Sequence, residues 1–573
     1  MDYQLDKGHC EFLRNQTKQR FDQVRTTWVD CGKWALPHRT KWLLSQTPGE
    51  RNNQHIVDAT HVLALRSYVA GFLEGNTSAS RPWYRHGVAD LEKNANPDNR
   101  KWLSALTNQT LKVLGSGNFY DAAGGFYYDF GVFNTGAHYI EERANRSLFF
   151  HNLTPGSYFV LNDAYGEAIV MVREFCLNVK ALVDQYGKKK DGKWDWSNFS
   201  SRVKKMYEDG NYSQQVDVVH IMKPNPAYEA SGRQGGSNRQ WMSITYELGG
   251  QSGPYYQDGQ EGFGSATPDT LDKDNYLSVK FSKRKPFIVG KSQTSGNFEY
   301  GEKGPTLDAL GVIKSLNKKA ISKDKALDQM LQPPLQGPAS LKKSYVTSAP
   351  NSYVPLDAQS LAQKGLRTIF EVNPAVGALV QDVSDLRKMV EQFYYADYLL
   401  YLSQNPKTRT ATETDAIVSE QRLVIGPNLQ SLNWTYNVPI IEFVTDWVLD
   451  EDPYLPEMPE DLAGQFLRPE MISVFAQAQK AADLPAIERY IAMISNVGQV
   501  NPKIWDKANL DKLADLYEDR LYLPAGLNNP TEKAEALREQ AMMRAQQQQQ
   551  MEQVALMAGA AKDMGMNAKP KGE

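Results

Sequence analysis

The chain has 573 residues, three cysteines and a formal net charge of −3, from 64 lysines and arginines against 67 aspartates and glutamates. This balance excludes the global positive field of a dedicated nucleic-acid-binding protein, so any DNA contact has to be local. The three scattered cysteines exclude a disulfide framework or a zinc site, and favour a reducing compartment. No apolar run approaches about 18 residues and the N-terminus lacks a signal-peptide pattern, so we expect a soluble chain of cytoplasmic origin with no membrane contact.

Helix and strand signals alternate along the first 300 residues. Apolar residues at helical spacing predict a first helix that Pro37 ends, and further helices over residues 59–73 and 100–114. The aromatic, glycine-rich segment that follows is assigned no helix, and the lysines at 188–190 are interpreted as a solvated loop. The predicted strands cover residues 137–142, a hairpin or meander over 161–172, and residues 216–222, 241–248, 277–281 and 287–289. This alternation indicates a mixed α and β region.

Two amphipathic helices separated by a proline-rich insert occupy the middle of the chain. The first begins after the dipeptide Gly304-Pro305, which suits a helix start. The second carries apolar residues at helical spacing over 383–402, which at ~1.5 Å per residue makes a rod of roughly 30 Å. Residues 333–353 between them are rich in proline, glycine and serine, so this insert excludes helix and predicts turns or short strands.

A polar, basic loop over residues 403–412 follows the second helix. The next helix is predicted to begin near Thr412, and Gly426-Pro427 should kink it. Beyond residue 461 the pattern is nearly all helical. The glutamine-rich end from residue 531 predicts either an extended helix or disorder.

The sequence contains none of the catalytic motifs that we considered. No Gly-x-x-x-x-Gly-Lys-Ser/Thr phosphate loop occurs, which excludes an ATPase motor of that type. The eight histidines lie in the first 220 residues without the spacing of a metal site, and each is interpreted as a surface or satisfied core residue. Acidic pairs such as Glu141-Glu142 define no acid–base site without geometry. We therefore expect no catalytic residue, no metal, no cofactor and no enzymatic activity.

Short motifs follow one another in order over most of the chain. They are Asp58-Ala59-Thr60, Arg81-Pro82-Trp83-Tyr84, Asn118-Phe119-Tyr120, Phe133 to Gly136, Arg173-Glu174, Pro286-Phe287, Tyr300-Gly301, Pro333-Pro334, Ala411 to Glu413, Gly426-Pro427 and Ala476 to Gln479. No single motif is diagnostic. Their order resembles that of the head-to-tail connector, or portal, family of short-tailed, T7-like bacteriophages.

The resemblance implies an α+β portal fold assembled as a ring of twelve subunits at one capsid vertex. The implied parts are a mixed α/β wing over residues 1–304, stem helices over 305–332 and 379–402, a clip over 333–378, a tunnel loop over 403–412, a kinked wing helix over 413–450, a mainly helical crown over 451–530 and a helical or disordered tail over 531–573. The order of helix, insert, helix, basic loop and helix, taken from the residues alone, supplies the same parts.

The resemblance also implies where the ring meets DNA and other proteins. Lys407, Thr408 and Arg409 in the tunnel loop would contact double-stranded DNA transiently and without sequence specificity during packaging and ejection. Lys342 and Lys343 in the clip are candidates for docking the terminase large subunit or a tail adaptor, and tail proteins are expected partners of the ring. Major capsid and scaffold proteins are further expected partners, with assembly in the host cytoplasm and a final place in the virion. Solvated turn residues are the alternative interpretation of both basic sets.

Two other classes of protein remain open at this point. An internal scaffold or core protein of the virion would also be large and free of catalytic motifs, but it would not need the order of helix, insert, helix and basic loop. An enzyme with a non-standard site, such as a nuclease, would show metal-binding carboxylates clustered in a pocket. The residues favour the portal interpretation over both.

Overall fold

A computed structural model describes most of the first 332 residues and parts of the remainder. The described residues are 7–43, 53–90, 93–94, 96–143, 147–190, 192–230, 238–248, 276–294, 298–332, 335–338, 353–356, 367–368, 376–396, 426–472, 484–500, 513, 536–548 and 550–551. The chain divides into two compact units. The larger unit takes residues 1–83 and 109–453, and the smaller takes residues 84–108 and 454–573.

Helices and short strands alternate before two long helices. The helices are α1 (Lys7–Ala35), α2 (Thr60–Asn76), α3 (Pro97–Ser116), α4 (Phe119–Phe133), α5 (Val179–Tyr186), α6 (Ser201–Glu208), α7 (Pro305–Leu331), α8 (Val376–Phe393), α9 (Val438–Glu451) and α10 (Leu484–Val500). The strands are β1 (Tyr84–Val88), β2 (Thr135–Glu142), β3 (Leu148–Leu153), β4 (Tyr158–Asn162), β5 (Ala168–Asn178), β6 (Lys188–Lys190), β7 (Lys193–Asp195), β8 (Gln215–Pro224), β9 (Trp241–Glu247), β10 (Ser278–Ser282), β11 (Phe287–Lys291), β12 (Leu335–Pro338), β13 (Tyr353–Leu356), β14 (Arg367–Thr368) and β15 (Leu467–Met471).

Two antiparallel sheets form the body of the larger unit. Five strands lie in the order β10-β9-β8-β5-β4, and three lie in the order β11-β2-β3. A sheet with one solvated face shows alternating burial. Strand β8 instead is buried at every position from Val216 to Lys223, and β11 is buried throughout. Other elements therefore cover both faces of the sheets at these strands.

Helix α1 packs against the five-stranded sheet through aromatic and charged side chains. The rings of Phe21 and Phe159 meet edge to face with centroids 5.1 Å apart. The Nε atom of Arg14 donates to Oε1 of Glu174 at 2.6 Å, and both side chains are almost fully buried. A buried charge is tolerated when an opposite charge pairs with it. This ion pair therefore holds α1 on β5.

Helix α4 inserts Phe126 into the centre of the larger unit. Its ring stacks on that of Tyr436, with centroids 3.7 Å apart. Gly136 and Gly290 leave the space for this ring, because a Cβ atom at either position would lie 2.6 or 2.5 Å from its carbons. His138 Nε2 and the Tyr436 hydroxyl are 3.0 Å apart and form a hydrogen bond. The two glycines are thus required by close packing.

The smaller unit is built around the antiparallel pair β1 and β15. Arg85 and Glu470 form an ion pair across it at 2.8 Å. The indole N–H of Trp102 donates to the carbonyl of Pro456 at 2.9 Å, which satisfies its polar atom while the ring is buried. These contacts join residues more than 350 positions apart in the sequence.

The α+β fold class is confirmed. Residues 119–133 form helix α4, although the sequence pattern predicted no helix there, so that prediction was wrong. Gly124 and Gly125 lower the helix propensity of this segment. Ten of its fifteen residues are buried, so tertiary packing outweighs that preference. Aromatic residues on several sides of α4 obscured the three- to four-residue spacing that reveals a helix in the sequence, and these residues form the packed faces of α4.

Two further sequence predictions are corrected by the structure. The lysines at 188–190 form strand β6, which pairs with β7 in a hairpin, although their side chains are exposed as expected for solvated residues. Strand β15 interrupts the segment beyond residue 461 that was predicted to be nearly all helical. Its pairing strand β1 lies far away in the sequence, so no local pattern reveals it.

The helical region before α9 contains an irregular turn. Residues 426–432 are helical, Asn433–Asn437 form a π-helical turn, and Pro439 follows inside α9. Proline donates no N–H and its ring collides with the carbonyl four residues earlier, so a wider turn is accommodated before it. The kink expected at Gly426-Pro427 stays a prediction, because the described residues of this stretch begin at Gly426.

Candidate functional site

The two long helices α7 and α8 pack against each other and enclose a small sheet in the sequence between them. In this sheet β12 lies in the middle, parallel to β13 and antiparallel to β14. Its strands have four residues or fewer, which is short for a sheet that must be stable alone. The structure thus shows the predicted arrangement of helix, short strands and helix.

Helix α7 begins in a tightly packed position. Its N-terminal neighbour Gly304 lies against Asn134, and a Cβ atom at Gly304 would come 1.7 Å from Oδ1 of that residue. The Thr306 hydroxyl donates its one hydrogen to the carbonyl of Gly131 at 2.7 Å. It can therefore only accept in its second hydrogen bond, so the Tyr394 hydroxyl donates to Thr306, also at 2.7 Å. Burial raises the pKa of Tyr394, which keeps it protonated as a donor. The first turn of α7 is therefore bonded to two other segments.

One side chain in the middle of α7 holds the segment before α2. The Oδ1 atom of Asn317 accepts the backbone N–H groups of Val57 and Asp58 at 2.8 and 2.9 Å. Its Nδ2 atom donates to the carbonyl of Ile313 at 2.9 Å. Asn317 is 1% exposed, so these backbone donors would lose their acceptor without it.

Asp58 in turn binds the second long helix. Its Oδ2 atom accepts from Nε and Nη2 of Arg387 at 2.9 and 2.8 Å, and its Oδ1 atom accepts from the backbone and hydroxyl of Thr60. Burial alone would raise the pKa of Asp58. The hydrogen bonds from Thr60 and the charge of Arg387 outweigh burial and lower this pKa below its ordinary value. Asp58 and Asn317 thus join α7, α8 and the start of α2.

Lysines on α7 make further ion pairs. Lys314 pairs with Asp30 of α1, and Lys319 pairs with Asp382 of α8 at 2.5 Å. Lys318 and Lys325, seven residues apart on the same helix, are exposed and make no ion pair within the described part of the chain.

The far end of α7 has different surroundings. Buried residues stop at Ala320, and Leu327, Met330 and Leu331 expose 36%, 44% and 80% of their surfaces. On α8, Val380 is 51% exposed. Leu327, Met330 and Leu331 are spaced three and four residues apart and so share one face of the helix. Contiguous exposed apolar side chains, unlike single ones, mark a surface suited to another protein.

The predicted site residues fall outside the described residues. Lys342, Lys343, Lys407, Thr408 and Arg409 are all in segments that the structure does not describe. Their roles therefore stay predictions.

The bonds that hold the helix pair were not predicted from the sequence. Asp58-Ala59-Thr60 stood out only as a motif, and nothing in its own segment indicated Asn317 or Arg387, which are 259 and 329 residues away. Short polar residues just before a helix favour hydrogen bonds to the local backbone. The pair Asp58 and Thr60 was therefore a sequence signal for a fixed turn before α2, but not for its distant partners.

Across the residues the structure describes, no group of three or more histidine, cysteine, aspartate or glutamate side chains could hold a metal ion. Within the same residues, no helix combines the length and apolar character needed to cross a membrane.

Two phage proteins are similar to this chain over nearly their whole length. The probable portal protein of Bordetella phage BPP-1 is 29% identical over 548 residues, covering 94% of this chain and 92% of the phage protein. The portal protein of Salmonella phage epsilon15 is 28% identical over 553 residues, covering 96% and 93%. A chain in the solved neck of an empty gene transfer agent particle overlaps 75% of this chain and 90% of its own length, at 11% identity and a TM-score of 0.32. That last overlap is too weak to support a shared fold.

A family model covers almost all of the sequence. The model described as bacteriophage head to tail connecting protein matches residues 7–527, which include both long helices, the small sheet and both predicted basic sites. The order of motifs, the enclosed sheet and this match agree. The chain belongs to the family of bacteriophage head to tail connecting proteins.

Proposed function

We propose that this chain is the portal subunit of a bacteriophage, which assembles as a twelve-membered ring at one capsid vertex and forms the channel for double-stranded DNA. The observation that carries the proposal is the family match over residues 7–527. The packed pair α7 and α8, with a small sheet between them, supports it as the part that would line or surround a channel. The protein is then a structural component of the virion and not an enzyme.

Ring assembly explains the features that a single subunit leaves unsatisfied. The apolar side chains on the far end of α7 and the short strands β12 to β14 would gain packing and hydrogen-bond partners from a neighbouring subunit. Repetition of one head-to-tail interface closes into a ring when the rotation between copies divides a full turn.

DNA contact is assigned to the tunnel loop over residues 403–412. Phosphate contacts are independent of sequence, and affinity rises steeply with the number engaged at once. DNA has to move inward during packaging and outward during ejection, so the loops should engage a few phosphates at a time. Replacing Lys407 and Arg409 with alanine is expected to lower the retention of packaged DNA while rings still form. Unchanged genome length and retention would count against this role.

Docking of other proteins is assigned to the clip over residues 333–378. Its Lys342 and Lys343 are proposed to bind the terminase large subunit during packaging and the tail adaptor afterwards. Exchanging both for glutamate should weaken terminase binding to purified rings and leave ring symmetry unchanged. Equal binding by the variant and wild-type rings would remove the two lysines from the docking site.

The internal scaffold protein is the alternative function. A match to a connector family over nearly the whole chain disfavours it. Contacts with major capsid and scaffold proteins, and assembly in the host cytoplasm, are parts of the portal proposal.

A further inference from the structure

A cavity of about 770 Å³ lies between the five-stranded and three-stranded sheets, away from the long helices. One wall is a row of side chains in register on four neighbouring strands, namely Arg173, His220, Thr245 and Ser278. Tyr139, Glu141 and His151 line the opposite wall. The volume lies in the range of ~300–1,000 Å³ that is usual for small-molecule sites.

Arg173 is the distinctive group in this cavity. Its guanidinium carbon lies 4.4 Å from the ring centre of Phe175 and 5.8 Å from that of Tyr139. Among the described residues its guanidinium forms no ion pair and donates no hydrogen bond. Burial lowers the pKa of Arg173, yet an arginine stays charged in proteins, so its donors remain available. The aromatic contacts fix the orientation of the group without neutralising it.

The neighbouring groups leave the cavity with excess positive charge. Lys188 and Lys280 also line it. Glu141, the acidic lining residue, already accepts a hydrogen bond from His151 at 3.0 Å and lies 3.8 Å from Lys280. His220 adds no charge at neutral pH, because burial, then Arg173 and Lys280, lower its pKa to about 3. The charge of Glu141 acts on Arg173 and favours its charged form, but among the described residues no carboxylate forms an ion pair with the guanidinium.

We propose that this cavity is an oxyanion site in which the Arg173 guanidinium binds two oxygens of a phosphate or carboxylate group, with Lys280 as a second cation. Arginine presents parallel N–H groups that match the two oxygens of such an anion. The anion could be free in solution or could be a carboxylate from a second copy of this chain. The site does not depend on the portal assignment.

Thermal denaturation of the full-length subunit in increasing phosphate tests the proposal. Sodium chloride is adjusted to keep the ionic strength constant, because surface charges also respond to salt. The wild-type protein should show a saturable rise in Tm. The Arg173→Gln variant should bind phosphate at least about tenfold more weakly, while Arg20→Gln, at a half-exposed arginine outside the cavity, should behave as wild type.

A second variant covers the case in which Arg173→Gln does not fold. Lys280 is exposed, so Lys280→Gln should fold and weaken phosphate binding about threefold. Titration with acetate before and after assembly separates the two sources of the anion. A site for free phosphate binds phosphate in both states, whereas a site filled by a second copy binds either anion only before assembly. No saturable effect of phosphate or acetate on the wild type, or an equal effect on Arg173→Gln, overturns the proposal.

Discussion

Helix α7 is continuous, but its two halves have different surroundings. Seven residues between Pro305 and Ala320 are buried, and hydrogen bonds or ion pairs join this half to other segments of the same unit. No residue after Ala320 is among the buried residues of the helix, and Leu331 there is 80% exposed. The part of α7 after Ala320 makes about three turns, and an isolated helix shorter than ~12–15 residues is marginal in water. The first half is therefore stabilised within the subunit, and the second half should gain its packing from another copy.

The largest expected effect is a difference in the free energy of unfolding between two variants, each with one leucine of α7 truncated, one in each half of the helix. Leu316 is fully buried, so Leu316→Ala leaves a cavity and should lower the free energy of unfolding by about 2–5 kcal/mol. Leu327 is 36% exposed, and Leu327→Ala should lower it by no more than ~1 kcal/mol in the isolated subunit. Denaturant unfolding of both purified variants measures the difference, and equal losses would contradict the division of the helix.

Leu327→Ala, which costs less folding stability than Leu316→Ala, should have the larger direct effect on ring assembly. Leu327→Ala removes apolar surface that we place between subunits, so it should raise the protein concentration at which rings form. Analytical ultracentrifugation over a concentration series gives this value for the variant and the wild type. Unaltered assembly of Leu327→Ala would place the interface elsewhere.

The next effect in size concerns the polar anchor in the first half. Asn317→Ala leaves the backbone N–H groups of Val57 and Asp58 without their acceptor, and should cost about 1–3 kcal/mol. Ser322→Ala is the matched control, since the Ser322 hydroxyl also bonds a helix carbonyl but is exposed. Its expected cost is within ~0.5 kcal/mol. Chemical denaturation of the two variants side by side checks the ranking.

A smaller effect should depend on pH. The folded pKa of Asp58 is lower than its ordinary value of 3.8, so its stabilising contribution is complete above that value and is lost as the pH falls through the folded pKa. The Tm difference between wild type and Asp58→Asn should be largest near neutral pH and shrink towards pH 3. Asp385→Asn, at an exposed carboxylate of α8, serves as the control. A difference that grows on acidification would contradict the assigned direction.

The smallest effect concerns the two exposed lysines of α7. The pair α7 and α8 is proposed to line or surround the channel, so its exposed lysines would add phosphate contacts to those of the tunnel loop. Lys318→Gln with Lys325→Gln should then leave the subunit's stability unchanged and weaken DNA association by rings several-fold, with a shallower dependence on salt. Lys204→Gln with Lys205→Gln on α6 removes the same charge outside the helix pair. Equal DNA binding by both double variants would show that the α7 lysines do not face DNA.

The sequence predicted elements better than it predicted contacts. Gly304-Pro305 marked the start of α7 because a proline at the first helical position suits a helix. The bond between Asn317 and the N–H of Asp58 could not be found, because 259 residues separate them and no local pattern in either segment depends on the other. Arg173 likewise stood out only within a motif, since its cavity depends on the register of four strands.

Electron microscopy of the purified full-length protein, without DNA, tests most directly whether the exposed half of α7 serves a ring. We predict end-on views that show closed rings with a central hole and mostly twelvefold symmetry. Filaments would show an interface between copies that does not close, which would contradict the ring. Solid particles, or a subunit that stays monomeric at every concentration, would contradict the assignment of that surface to a neighbouring copy.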